Sequence, residues 1–333
     1  MMLRRKDILG IRDLNCEEIL HILETAKDMK EKIGNKKARE KSLQNFSVVT
    51  LFYENSTRTR MSFALAGEYL GAEVADLGVA TSSVNKGESL VDTGITLDQM
   101  GIDIMVIRHS MSGAANVLAR NVRASVINAG DGVNEHPTQA LLDLYTIFEK
   151  KKNFKDLKVA IIGDIIHSRV ARSNVFGLTK LGAHVVVGGP STLISKNMEY
   201  LGAKVTTDIK EALRDADIVM GLRIQLERQK GGLFPDLREY RGLFGIDEEM
   251  LKYAKADALL MHPGPVNRGI ELSTEIIDGH QSVINEQVKN GVAVRMALLH
   301  LLAEERKRNE DTHSKWTHTR SFIQNRWDQR YTG

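Results

Sequence analysis

Residues 46–71 read FSVVTLFYENSTRTRMSFALAGEYLG. The first eight form a short apolar run rich in β-branched side chains, the pattern of a strand buried on both faces. From Met61 the residues follow a helical pattern that Gly71 closes. Between the two stands ENSTRTR, residues 54–60. A strand, a polar turn and a helix in that order form one link of an alternating chain, and the same link recurs on either side.

Upstream, residues 16–33 place Ile19, Ile22, Leu23, Ala26 and Met29 at helical spacing with a charged outer face. Downstream, the patterns predict strands at 73–78, 102–110 and 124–130, with helices at 89–101, 113–121 and 136–151. A second alternating series follows. It has strands at 158–164, 183–190, 204–208, 217–223 and 257–265, and helices at 168–182, 193–203, 209–216 and 247–256. Strands alternating with helices argue for parallel sheets covered on both faces. The expected fold is therefore α/β, with two similar-sized domains, each a parallel β-sheet flanked by helices, and the active site in the cleft between them. A basic stretch near residues 149–157 separates residues 1–150 from 151–285. A late helix, about 286–305, can cross back onto the first half, and residues 306–333 form a tail with no assigned role.

The bulk composition narrows the function classes. A chain of 333 residues exceeds what one core usually serves. A net charge of +3, from 46 basic and 43 acidic residues, gives no electrostatic case for nucleic acid. No segment reaches the ~18 apolar residues of a membrane span. The first ten residues lack the apolar core of a secretory signal. A single cysteine, Cys16, forms no intrachain disulfide and suits a cytoplasmic protein. The histidines are scattered, without zinc-site spacing, so no metal and no cofactor is expected. Neither a P-loop nor a GxGxxG fingerprint follows a strand.

Ligands of open parallel sheets bind outside the carboxyl ends of the strands, where the polar clusters of this chain fall. In ENSTRTR, the free N–H groups of a first helical turn suit an anion. Ser56, Thr57 and Thr59 add hydroxyls there, and Arg58 and Arg60 add planar cationic forks. The plainer alternative is a helix cap with two surface arginines. In HPTQ, His136 and Gln139 stand three apart at a helix start, able to face one ligand or simply to bond local backbone. The loop SSVNKGE carries Ser82 and Lys86, and by itself reads as a solvated loop. Arg108, Arg169 and Arg223 each follow a strand, where a guanidinium can grip a carboxylate or equally sit on the surface. MHPGPVNRG forms a rigid turn able to offer backbone carbonyls to an amide.

Taken together, STRTR, HPTQ and MHPGP on two α/β domains resemble the aspartate and ornithine carbamoyltransferases, over about residues 5–303. KGE, RIQ and HPGPVNRG resemble the aspartate branch, whereas the ornithine branch usually carries HCLP where this chain has His262 followed by Pro263. The resemblance implies transfer of the carbamoyl group of carbamoyl phosphate to L-aspartate in pyrimidine synthesis. It implies that residues 1–150 bind carbamoyl phosphate and 151–285 bind aspartate. Ser56, Thr57, Arg58, Thr59 and Arg108 then hold the phosphate; Thr59, Arg108 and His136 face the carbamoyl oxygen. Gln139 and the backbone of Gly264 and Pro265 meet the carbamoyl –NH₂, and Arg169, Arg223, Gln225 and Lys86 serve aspartate. Thr59, Arg108, His136 and Lys86 are the catalytic set. Ser82 and Lys86 come from a neighbouring subunit, which implies a homotrimer with shared sites. Some relatives also bind a separate regulatory chain. Residues 227–245 occupy the position of a mobile lid in the family. Two rivals stay open at this stage: a carbamoyltransferase with another acceptor, and a non-catalytic relative, which the presence of Arg58, Thr59 and His136 disfavours.

Overall fold

The computed structural model describes residues 3–34, 41–78, 87–225 and 236–328, with side chains to residue 310. The first half runs α1 (Cys16–Gly34), β1 (Ser47–Phe52), α2 (Thr57–Tyr69), β2 (Glu73–Leu77), α3 (Leu90–Gln99), β3 (Ile104–His109), α4 (Ala114–Asn121), β4 (Ser125–Asp131) and α5 (Pro137–Lys151). The second half runs β5 (Lys158–Ile162), α6 (Arg169–Lys180), β6 (His184–Gly188), a 3₁₀ helix (Lys196–Leu201), β7 (Lys204–Thr206), α7 (Ile209–Leu213), β8 (Ile218–Gly221), α8 (Leu237–Phe244), α9 (Glu248–Leu251), β9 (Leu259–Met261) and α10 (Thr274–Ile277). The last helix, α11, spans Ile284–Asp328.

Two parallel sheets result, with strand orders β2-β1-β3-β4 and β7-β6-β5-β8-β9. Their period-2 faces are both apolar. Val48, Ile104 and Val106 face a core shared with α1, α5 and α11, while Val49, Leu51, Met105 and Ile107 pack against Leu118 of α4. In the second sheet Val159 and Ile161 join the shared core, and Ala160 and Ile162 face a separate cluster with Ala212 and Ile276. Burial on both sides is why these strands read as unbroken apolar runs.

Each sheet reverses its winding once, between β1 and β3 and between β5 and β8. Such switch points open a crevice at the strand ends. Helix α5 joins the halves and is buried without a break from Pro137 to Ile147. It packs closely on α6, where a Cβ at Gly177 would stand 2.7 Å from Leu144 Cδ1. Helix α11 packs against α1, α2 and α5.

Three local features differ from the sequence patterns. Residues 196–201 form a 3₁₀ helix ended by Gly202 at φ +90°, because Met198 is the one buried anchor within it. Much of the lid-like stretch is α8, capped by Asp236 and anchored by buried Tyr240 against Leu193 and Ile224; residues 226–235 lie outside the described residues. Beyond residue 305 the chain continues as helix, supported at its start by the Arg308–Glu305 and Arg306–Glu310 pairs one turn apart.

Candidate functional site

The two switch points face one another across a cleft of about 710 Å³. Ser56, Thr57, Arg58 and Thr59 line it from the N-cap and first turn of α2, and Arg108 from the end of β3. His136 and Gln139 line it from the start of α5, and Arg169 from the first residue of α6. Arg223 and Gln225 follow β8, and Gly264 and Pro265 follow β9. Ser82 and Lys86 lie outside the described residues.

The N-terminus of α2 opens onto the cleft. Ser56 holds the N-cap position with extended backbone, φ −161° and ψ 96°, yet its hydroxyl makes no cap bond. The plain capping role for Ser56 is therefore not taken up. Thr59 is buried in the first turn. Arg58 is open to the cleft, but the surrounding walls and then the charge of Arg223 lower its pKa. Arg60 leaves the cleft and pairs with Asp76 at 3.3 Å.

Glu54, missed in the sequence, ties the two halves. Its Oε1 accepts from Arg108 Nη2 at 2.7 Å and from Arg169 Nη2 at 2.8 Å, and its Oε2 accepts from Arg169 Nη1 at 3.0 Å. Arg169 also donates to the Gly132 carbonyl at 3.2 Å. Its guanidinium lies against Gly130, which adopts φ +116° and leaves no room for a Cβ: one there would sit 2.8 Å from Arg169 Nε. Five arginines line the cleft, Arg58, Arg108, Arg169, Arg223 and Arg295, and two of them, Arg108 and Arg169, share the Glu54 carboxylate.

At α5, the His136 ring is buried and makes no cap bond with its helix. The backbone is fixed separately: His136 N–H donates to Ser173 Oγ at 2.9 Å, and Ser173 Oγ donates to Glu135 at 3.0 Å. One turn on, Gln139 Nε2 donates to Asp143 Oδ1 at 2.9 Å. Burial raises the Asp143 pKa to about 6, opposed by three side-chain amides and by Arg295. Arg295, from α11, is itself buried; its guanidinium lies 5.2 Å from the Phe63 ring, and burial lowers its pKa to about 10. A lone arginine inside the apolar run GVAVRMALLH was the available signal for it.

After β9, a cis bond joins Gly264 to Pro265, and Gly264 N–H donates to His262 Nδ1 at 2.8 Å. That bond leaves Nε2 as the protonated nitrogen, 3.3 Å from Glu271 Oε1. Burial lowers the His262 pKa, so the ring is a neutral brace for the turn. On the facing wall, Gln225 Nε2 donates to the His167 carbonyl at 3.1 Å and its N–H to Asp164 Oδ2 at 3.3 Å.

Comparison with known proteins matches both halves. Residues 6–149 fit the aspartate/ornithine carbamoyltransferase carbamoyl-P binding domain, and residues 155–302 fit the corresponding Asp/Orn binding domain. The aspartate carbamoyltransferase catalytic subunit of Acetivibrio thermocellus is 65% identical over 302 residues, covering 91% of this chain and 97% of its own. That of Ruminiclostridium cellulolyticum is 61% identical over 312 residues, covering 94% and 100%. Among solved structures, aspartate transcarbamoylase from Trypanosoma cruzi with carbamoyl aspartate and phosphate superposes with a TM-score of 0.81 at 30% identity, over 90% of this chain and 96% of its own.

Proposed function

Since the chain belongs to the aspartate/ornithine carbamoyltransferase family, we propose that its cleft carries the family reaction on the residues that line it. The chain transfers the carbamoyl group of carbamoyl phosphate to the amino group of L-aspartate, giving N-carbamoyl-L-aspartate and phosphate in pyrimidine synthesis. The observation that supports this use of the cleft is the convergence of Arg58, Arg108, Arg169 and Arg223 from both switch points, a cationic pocket for two anionic substrates.

In this reading the α2 N-terminus binds the phosphate through its free N–H groups, Ser56, Thr57, Thr59 and Arg58, with Arg108 completing the cradle. Thr59, Arg108 and His136 donate to the carbamoyl oxygen. Gln139 and the carbonyls of Gly264 and Pro265 accept from its –NH₂. Arg169, Arg223 and Gln225 orient the aspartate carboxylates. Attack by the neutral amine builds negative charge on the carbamoyl oxygen, where fixed donors bind the transition state better than the ground state. The C–O bond to phosphate then breaks, and the departing phosphate accepts the amine proton. Glu54 aligns Arg108 with Arg169 and offsets part of their charge before the substrates enter. Ser82 and Lys86 act from a neighbouring copy, so the working form is a homotrimer with shared sites, in the cytoplasm. A separate regulatory chain is an optional partner.

The direct test is phosphate release from carbamoyl phosphate with L-aspartate, L-ornithine or no acceptor. Release is expected with aspartate alone; release with another amine instead would reassign the acceptor pocket. Arg223→Ala is expected to raise the KM for aspartate strongly, with a smaller change in kcat. Gly130→Ala should act on the same substrate from a distance. Its Cβ forces a strained backbone and pushes the Arg169 fork off its position. We expect a rise of about tenfold in the aspartate KM, the cost of one weakened charged hydrogen bond. An unchanged aspartate KM would show that Arg169 tolerates the shift.

A further inference from the structure

The carbamoyl –NH₂ is what distinguishes carbamoyl phosphate from acetyl phosphate, and hydrogen-bond acceptors are needed to recognise it. We propose that Asp143, which lies behind the cleft, is the positioning residue that turns these acceptors toward the substrate; this rests on the functional reading above.

Asp143 is fully buried on α5, one turn beyond Gln139. Three carboxamides converge on it from three helices. Gln139 Nε2 of α5 and Gln287 Nε2 of α11 both donate to Oδ1, at 2.9 Å and 2.8 Å. Asn174 Nδ2 of α6 donates to Oδ2 at 2.8 Å. An ionised carboxylate only accepts, so each carboxamide has to turn its –NH₂ inward and its oxygen away. For Gln139, whose side chain lines the cleft, the oxygen is then the atom offered to the ligand. For Gln287, the oxygen accepts the His262 N–H at 2.9 Å. That bond holds the start of the turn whose Gly264 and Pro265 carbonyls form the other half of the acceptor set. One buried oxygen atom therefore sets both halves. Three N–H donors surround its two oxygens, the environment that suits the ionised form, while burial raises its pKa to about 6. Buried Arg295, coupled to Asp143 through charge, supports that form.

Without this anchor Gln139 is free to rotate by half a turn and present its own –NH₂, donor against donor. Carbamoyl phosphate would lose affinity, while acetyl phosphate, with a methyl at that place, would not. The test measures dissociation constants for carbamoyl phosphate, acetyl phosphate and inorganic phosphate by competition, in the full-length protein and in Asp143→Leu, which keeps the shape and removes the acceptor. The preference for carbamoyl over acetyl phosphate should fall about tenfold or more, the effect of one unpaired buried hydrogen-bonding group. Inorganic phosphate, which reads only the α2 N-terminus and Arg108, should bind within about twofold of the parent protein. If Asp143→Leu does not fold, Gln287→Leu cuts the link to the 262–265 turn and should lower the same preference severalfold. A preference equal to that of the parent protein in either folded variant overturns the proposal. So does a parallel loss of phosphate affinity, which marks general collapse of the cleft. A parent protein that shows no aspartate-dependent phosphate release would instead overturn the functional reading, before any variant is compared.

Discussion

His136→Ala is expected to lower kcat by about 10²–10³, the usual consequence of removing one donor from a developing oxyanion. The KM for carbamoyl phosphate should change far less, because the phosphate cradle of α2 is a separate element. The ring is 4% exposed and lines the cleft at the first turn of α5. Its loss should not disturb the helix start. Pro137 occupies the first helical position, and the backbone at 136 is held by the Ser173 hydroxyl rather than by the imidazole. The variant should therefore fold, with a Tm near that of the parent protein, and the defect should lie in the chemical step. His136→Gln returns a donor of similar reach and should recover part of the rate. Steady-state kinetics showing an unchanged kcat in His136→Ala would remove His136 from the mechanism. A KM effect without a kcat effect would make it a ground-state binding group.

The alternation of strands and helices was legible because the inner strands are buried on both faces, which leaves a compact apolar signature in the sequence that the exposed edge strands β2 and β7 lack. The strand order was not, since pairing β1 with β3, or β5 with β8, joins segments far apart in the chain. STRTR, HPTQ and HPGP were legible as clusters because several polar groups sit side by side where a strand ends. Glu54 was not, although it stands two residues before STRTR: a single carboxylate in a turn reads as solvated until the topology brings Arg108 and Arg169 onto it. Asp143 was hidden for a related reason. Its position inside ALLDLYTIF marks it as buried, but the partners that explain it, Gln287 and Arg295, arrive from α11 roughly a hundred and fifty residues later. Local pattern finds the walls of a site, whereas the groups that orient those walls are fixed by long-range contacts.

Arg58 should show opposite effects on activity and on the stability of the ligand-free protein. Arg108 and Arg169 share Glu54, but the charge that Arg58 feels is that of Arg223, and both burial and that repulsion lower its pKa. Its guanidinium is also pressed against the 262–265 turn, since a Cβ at Gly264 would lie 2.5 Å from Arg58 Nη1. A cation held among like charge costs stability until an anion arrives. Arg58→Met removes the charge while keeping much of the side-chain bulk, so the ligand-free Tm should stay level or rise. Catalysis should collapse: two charge-assisted bonds to phosphate, each worth roughly 1.5–3 kcal/mol, correspond to a loss of about 10²–10⁴ in kcat/KM. Ligand-induced stabilisation gives an independent readout. At a hundredfold excess over its Kd, phosphate should stabilise the parent protein by ~2.7 kcal/mol. The same concentration should leave the variant's Tm almost unmoved, because its Kd will have risen past that range. Thermal melts with and without phosphate separate the two roles. A ligand-free variant that melts well below the parent protein would make Arg58 a structural residue of the turn. A full phosphate-induced rise in Tm would show that the anion is held without it.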